Sequence, residues 1–283
     1  MSLGSKSTEC SDLLRQFFNV QKKRIIENSR RVHISKELEQ HQLFKYEKKS
    51  VISRIINKIE NGEDLNIYLS DKQNELDHSD LTLSIMGLHH FHLGEIIQKG
   101  GTRKGLVKGT KSLLFIKIEE QDAYLIDILS HDITSGFLNR QLLHIIYKNW
   151  PQLLEPFRIN RGGIEYTEIT EEDFTKLIQL QINIPYSPEY GIAYFFPGGL
   201  SKKNTDSDIE NDIFRLLDAL EKTECFLKNK TRDIAEYIRQ VTGIRYNVLR
   251  FSTELRDGGI VIINSNSGLL FVWDNLFLIP YKA

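Results

Sequence analysis

The chain has 283 residues, 40% hydrophobic and 27% charged, which excludes collagen-like, low-complexity and wholly disordered classes and leaves material for two or three packed units. Lys and Arg total 37 against 38 Asp and Glu, so a polyanion has to be met by a local patch and not by the net charge. No apolar run approaches the ~18 residues of a membrane helix, the opening residues lack an export signal, and Cys10 and Cys225 form no CxxC pair; together these imply a cytoplasmic, reducing setting and no membrane partner.

Residues 1–8 read as a small polar leader or disordered end. Over 9–62, Leu13, Leu14, Phe17, Phe18, Ile25 and Ile26 keep helical spacing. Phe44, Val51, Ile52, Ile55, Ile56 and Ile59 repeat it before Asn61-Gly62, predicting a helical hairpin. Its polar face carries Lys22, Lys23, Arg24, Arg30, Arg31, Lys45, Lys48 and Lys49, as a solvated face or a nucleic-acid surface would. In 63–155, Met86–Leu93, Leu113–Ile118 and Ala123–Leu129 read as strands, and Phe137–Trp150 as a helix that closes this strand-rich unit. Across 156–283, Ser207 with Glu210 forms a capping-box pattern, Gly243 suits a helix C-cap, and four short runs from Arg245 to Tyr281 predict an antiparallel meander. The fold class expected is α+β: helical hairpin, strand-rich middle unit closed by a helix, then helices with the meander.

The densest concentration of chemistry is Leu88-His89-His90-Phe91-His92-Leu93-Gly94, which holds three of the eight histidines. On a strand, His90 and His92 share one face while His89 and Phe91 share the other. Two imidazoles on one face plus His131 or Asp132 would suit a metal, but no His-Glu-x-x-His spacing accompanies them, so no metal is expected. The segment 99–111 carries Lys99, Arg103, Lys104, Lys108 and Lys111 without an acid, interleaved with four glycines, a composition that lets the backbone approach phosphates and neutralise them. It matches neither a Walker loop nor a Rossmann fingerprint, and no cofactor is expected. His131 follows an apolar strand at the point where a strand end meets a cleft, and an imidazole there exchanges protons near neutral pH. The alternative for each of these histidines is a hydrogen-bonded structural role. Tyr124, Phe91 and Trp150 are the aromatic candidates for base stacking, or else core residues.

The order His-x-x-x-Leu-x-Gly, a basic stretch, Leu-Leu-Phe-Ile-Lys-Ile, a polar turn, Ala-Tyr-Leu-Ile-Asp-Ile-Leu and Ser-His-Asp, running from His89 to Asp132, resembles the core of the RelE/YafQ superfamily of toxin ribonucleases. Leu93-Gly94 stands one residue tighter than that order, and the chain continues for 152 residues after His131. The resemblance implies metal-independent RNA cleavage by 2′-hydroxyl attack. It makes His131 the general acid or base, His90, His92 or His89 a second proton-transfer group, and Arg103, Lys104 or Lys111 phosphate stabilisers. It also implies RNA and a neutralising antitoxin as partners. The competing expectation is a non-enzymatic interaction or nucleic-acid-binding protein.

Overall fold

The structure is a computed structural model that describes residues 3–47, 49–130, 139–159, 170–180, 182, 184–189, 191–200, 206–256, 259–274 and 277–280. The architecture is α+β, with helices at the N-terminal end and antiparallel strands at the C-terminal end. The chain divides into two compact units, 1–210 and 211–283.

In the first unit, helix α1 (Leu3–Lys23) is followed by strand β1 (Arg31–Ile34), a short helix α2 (Lys36–Gln40) and helix α3 (Lys49–Asn61). The predicted hairpin is thus interrupted by a strand. β1 lies parallel to β4 (Asp122–Ser130), which pairs antiparallel with β3 (Ser112–Ile118), and β3 with β2 (His89–His92), giving the sheet order β1-β4-β3-β2. Four residues amid arginines carry too little alternation to announce a strand; pairing with β4, a tertiary event, makes it one. The ladder slips at Phe115/Ile116, so that Phe115 faces Asp127 and Ile116 faces Leu125.

Alternation along β3 separates two cores. Leu114 and Ile116 pack with Phe91, Ala123, Leu125 and the α3 stripe Val51, Ile52, Ile55 and Ile59. Leu113 and Phe115 join Ile126, the buried face of α5 (Arg140–Asn149) and Phe174 and Ile178 of α6 (Glu171–Gln179). The sheet therefore carries α3 on one side and α5 with α6 on the other. A two-stranded ribbon, β5 (Tyr186–Glu189) and β6 (Ile192–Tyr194), adds Tyr186 and Tyr194 to the second core.

The sequence places a strand from Met86, but residues 81–86 are helical. Asp80 accepts from the Leu83 amide as N-cap of α4 (Leu81–Met86), and Gly87 ends the helix at φ 67°, leaving only His89–His92 for β2. Just past β2, a Cβ on Gly94 would lie 2.1 Å from the Lys108 carbonyl oxygen, because the two limbs of the 94–111 hairpin meet backbone to backbone. Gly94→Ala is expected to destabilise the unit by about 1–3 kcal/mol through forced backbone displacement, read as a lower urea midpoint at unchanged slope.

In the second unit, the C-terminal part of α7 (Ser207–Asn229) and α8 (Thr231–Thr242) accompany a meander of order β10-β9-β8-β7, with β7 Phe251–Arg256, β8 Gly259–Asn264, β9 Leu270–Asp274 and β10 Phe277–Pro280. Ile234 and Ile238 of α8 bury against Ile262 of β8. Gly243 caps α8 at φ 73°, as its position suggests. The start of α7 is capped one residue earlier than the Ser207 pattern implies: Asp206 accepts from the amides of Asp208 and Ile209.

Candidate functional site

A cavity of about 530 Å³ opens beside β2, enclosed by the end of α1, the turn Asp71–Asn74, the segment 78–83 and Arg103. β2 is the sheet's edge strand, and residues from both its faces border the hollow: His89, His90 and His92. Register confirms the expected alternation, with His90 opposite Phe115 and His92 opposite Leu113 on one face, and His89 opposite Ile116 on the other. Lys23, Asp71, Lys72, His78, Asp80 and Arg103 complete the ionisable lining.

The histidines differ in their partners. His90 Nδ1 lies 3.3 Å from Asp80 Oδ2, while Asp80 Oδ1 holds the Leu83 amide, so one carboxylate both caps α4 and faces an imidazole. A carboxylate at that distance favours the tautomer with the proton on Nδ1. His92 is opposite in kind: its Nδ1 accepts from the Thr110 amide at 3.0 Å, which places the neutral ring's proton on Nε2. The two rings stand 6.5 Å apart, centroid to centroid, at 77°. His89 is buried, and desolvation, opposed by the Asp80 charge, pushes its pKa down to about 4, so it is neutral at pH 7. Burial and the charges of Lys72 and Lys23 also lower the pKa of His78.

Two of the cavity's three cations serve the backbone, while the third, Lys72, is exposed. Lys23 is buried and donates to the carbonyls of Glu75 and His78 at 2.6 and 2.9 Å; burial lowers its pKa against the pull of Asp80, Glu75 and Asp77. Arg103 donates Nε to the Val107 carbonyl and Nη2 to that of Leu69, each at 3.0 Å, with Nη1 3.5 Å from Asp71. Arg103, expected from the sequence as a phosphate stabiliser, has a fork that pins the 99–111 loop to the turn before Asp71. Lys104 lies outside the cavity, bordering a separate groove, and Lys111 is exposed and borders neither hollow. Of the loop glycines, Gly101 and Gly105 take φ 75° and 83° with open space where a side chain would stand; they serve turns.

Part of the basic face of the N-terminal segment is absorbed within the unit, while Arg24, Lys45 and Lys49 are exposed and Lys48 lies outside the described residues. Lys22 pairs with Asp206 and Asp208, Arg31 with Asp122, and buried Arg30 donates to the carbonyls of Glu119, Asn28 and Ile26. Phe91 is sealed in the core and stacks on Tyr68, while Tyr124 stacks on His33 and meets the edge of Trp150, so none of the three aromatics borders the cavity. His131 and Asp132 lie outside the described residues.

His78 and Asp80 are the site residues that sequence reading missed. Asp80 carried a signal, an N-cap residue directly before Leu-Thr-Leu-Ser-Ile-Met; His78, in a polar turn, carried none. Among the described residues, no group of three His, Cys, Asp or Glu side chains is arranged to hold a metal ion, and no helix is long and apolar enough to cross a membrane. No family model, curated protein or solved structure matches the chain.

Proposed function

We propose that the chain is a metal-independent endoribonuclease of toxin type whose proton-transfer pair is His90 and His92. The observation that carries the reading is the pair's opposed surroundings: the Asp80 carboxylate stands 3.3 Å from Nδ1 of His90, and the Thr110 amide donates to Nδ1 of His92, within one cavity. One ring thereby offers an accepting Nε2 and the other a donating Nε2, the two states that general base and general acid require. His90 removes the 2′-hydroxyl proton, the oxygen attacks the adjacent phosphorus to form a 2′,3′-cyclic phosphate, and His92 protonates the departing 5′ oxygen. Asp80 stabilises the His90 imidazolium that forms. His131, which the RelE/YafQ resemblance would make the acid or base, is a further candidate in this scheme. A cytoplasmic location and a neutralising antitoxin belong to the same reading.

The test is incubation of the full chain with single-stranded RNA in EDTA, followed by analysis of termini. The expected result is 2′,3′-cyclic phosphate ends, with DNA of the same sequence left intact. Absence of RNA cleavage, or cleavage that requires a divalent ion, overturns the reading.

One observation favours a second reading, a non-enzymatic binding or interaction protein: two of the cavity's three cations, Lys23 and Arg103, already donate to backbone carbonyls, which leaves less than the full set to neutralise a pentavalent phosphorane. On that reading, substitutions at His90 and His92 shift stability and leave RNA intact.

A further inference from the structure

A second hollow, about 340 Å³ and open to solvent, adjoins the first. Gln73 borders both. At three places the chain sends consecutive residues into the two hollows: Lys23 into the cavity and Arg24 into the groove, Gln73 into both and Asn74 into the groove, Arg103 into the cavity and Lys104 into the groove. The end of α1, the turn Asp71–Asn74 and the 99–111 loop therefore act as a shared partition with one cation on each side of two of its segments.

The two sides are not equivalent. On the cavity side Lys23 and Arg103 are held by carbonyls. On the groove side Arg24 and Lys104 are exposed; Arg24 touches Asn74 Oδ1 at 3.2 Å. Asn66 exchanges hydrogen bonds with the Ile25 backbone and donates to Asp64, which fixes the groove floor. Such a floor, with two exposed cations above it and the exposed carboxylate of Glu27 beside it, suits a phosphate flanked by a ribose or base that donates hydrogen bonds.

We infer that the groove of Arg24, Asn74 and Lys104 is a second nucleotide subsite, seating the residue next to the one held in the histidine cavity, so that the protein binds single-stranded RNA of two or more nucleotides across the partition. The inference rests on the ribonuclease reading of the cavity. It adds that two cations contacting the RNA's phosphates lie outside the reaction chamber, where Lys23 and Arg103 are committed to structure. Affinity then depends on oligomer length and on salt.

The experiment measures binding of a 2′-O-methyl RNA hexamer, which the proposed chemistry cannot cut, and of a nucleoside monophosphate, by fluorescence anisotropy across a salt series. The hexamer is expected to bind at least roughly tenfold more tightly than the monophosphate, and Arg24→Ala/Lys104→Ala to remove that advantage and reduce the slope of log K against log salt by about 1.4, two phosphate contacts' worth for a single strand. Lys148→Ala on α5, an exposed site away from both hollows, is expected to change neither quantity and controls for net charge. Equal affinity for hexamer and monophosphate, an unchanged slope in the double variant, or an equal loss in Lys148→Ala overturns the subsite. The two proposals fail separately. EDTA-resistant cleavage with hexamer binding indifferent to Arg24 and Lys104 removes only the subsite; length-dependent, Arg24- and Lys104-sensitive binding without cleavage removes only the ribonuclease.

Discussion

His92→Asn is expected to slow RNA cleavage by roughly 10²–10⁴-fold, the range that loss of one positioned proton donor costs. Asparagine is chosen because its side-chain amide oxygen takes the place of Nδ1 and still accepts from the Thr110 amide, which His92 accepts at 3.0 Å. Only the distal nitrogen is lost, so the loop's tie to β2 survives. His90→Asn keeps a donor toward Asp80 and removes the accepting nitrogen, and a loss of similar size is expected. Because both proton carriers act in one step, the double variant should be little slower than either single variant; multiplied effects would argue that the two rings act independently. Each single variant should also flatten one limb of the pH–rate profile. Retained cleavage in both, at wild-type unfolding midpoint, removes the histidine pair from the chemistry.

The second large effect is on stability against pH. His89 is buried, and its pKa falls from an ordinary 6.5 to about 4. Between those values the unfolded chain binds a proton that the folded chain does not, so stability contributed by the neutral ring is fully present above pH 6.5. It declines as pH falls and is lost once pH passes below about 4. The shift corresponds to about 3 kcal/mol over that window, an order-of-magnitude figure. Urea unfolding from pH 7 to 4 should reveal this fall, and His89→Leu, which keeps the volume and removes the titration, should flatten it. A slope that persists in His89→Leu would transfer the effect to other groups, His78 among them, whose pKa burial also lowers.

What could be read from the sequence depended on whether the deciding forces were local. The last three strands of the C-terminal meander were legible because turn residues punctuate short apolar runs, whereas its first strand, read over Arg245–Phe251, stands at Phe251–Arg256; α3 was legible because its apolar stripe ends at Asn61-Gly62, with Gly62 at φ 71°. The shared face of His90 and His92 followed from strand periodicity alone. β1 was not legible: Arg31–Ile34 becomes a strand through parallel pairing with residues some 90 positions later. Nor was the fate of the cations. Lys23, Arg30 and Arg103 look from the sequence like members of a solvated or phosphate-binding surface, yet each meets backbone carbonyls contributed by distant segments. Asp80 was hidden for a third reason: a helix of six residues is too short for periodicity to reveal, and the carboxylate that both caps it and faces His90 stays hidden with it.

The parallel ladder between β1 and β4 also bears on how the polypeptide is made. While synthesis proceeds from the N-terminus, Arg31–Ile34 has no partner until Asp122–Ser130 has left the ribosome, so the first hundred residues cannot close their sheet in advance and the α3 stripe waits uncovered. Such long-range closure slows assembly. A fragment ending before residue 122 would therefore be prone to association with other chains, and the N-terminal sixty residues are not a detachable module.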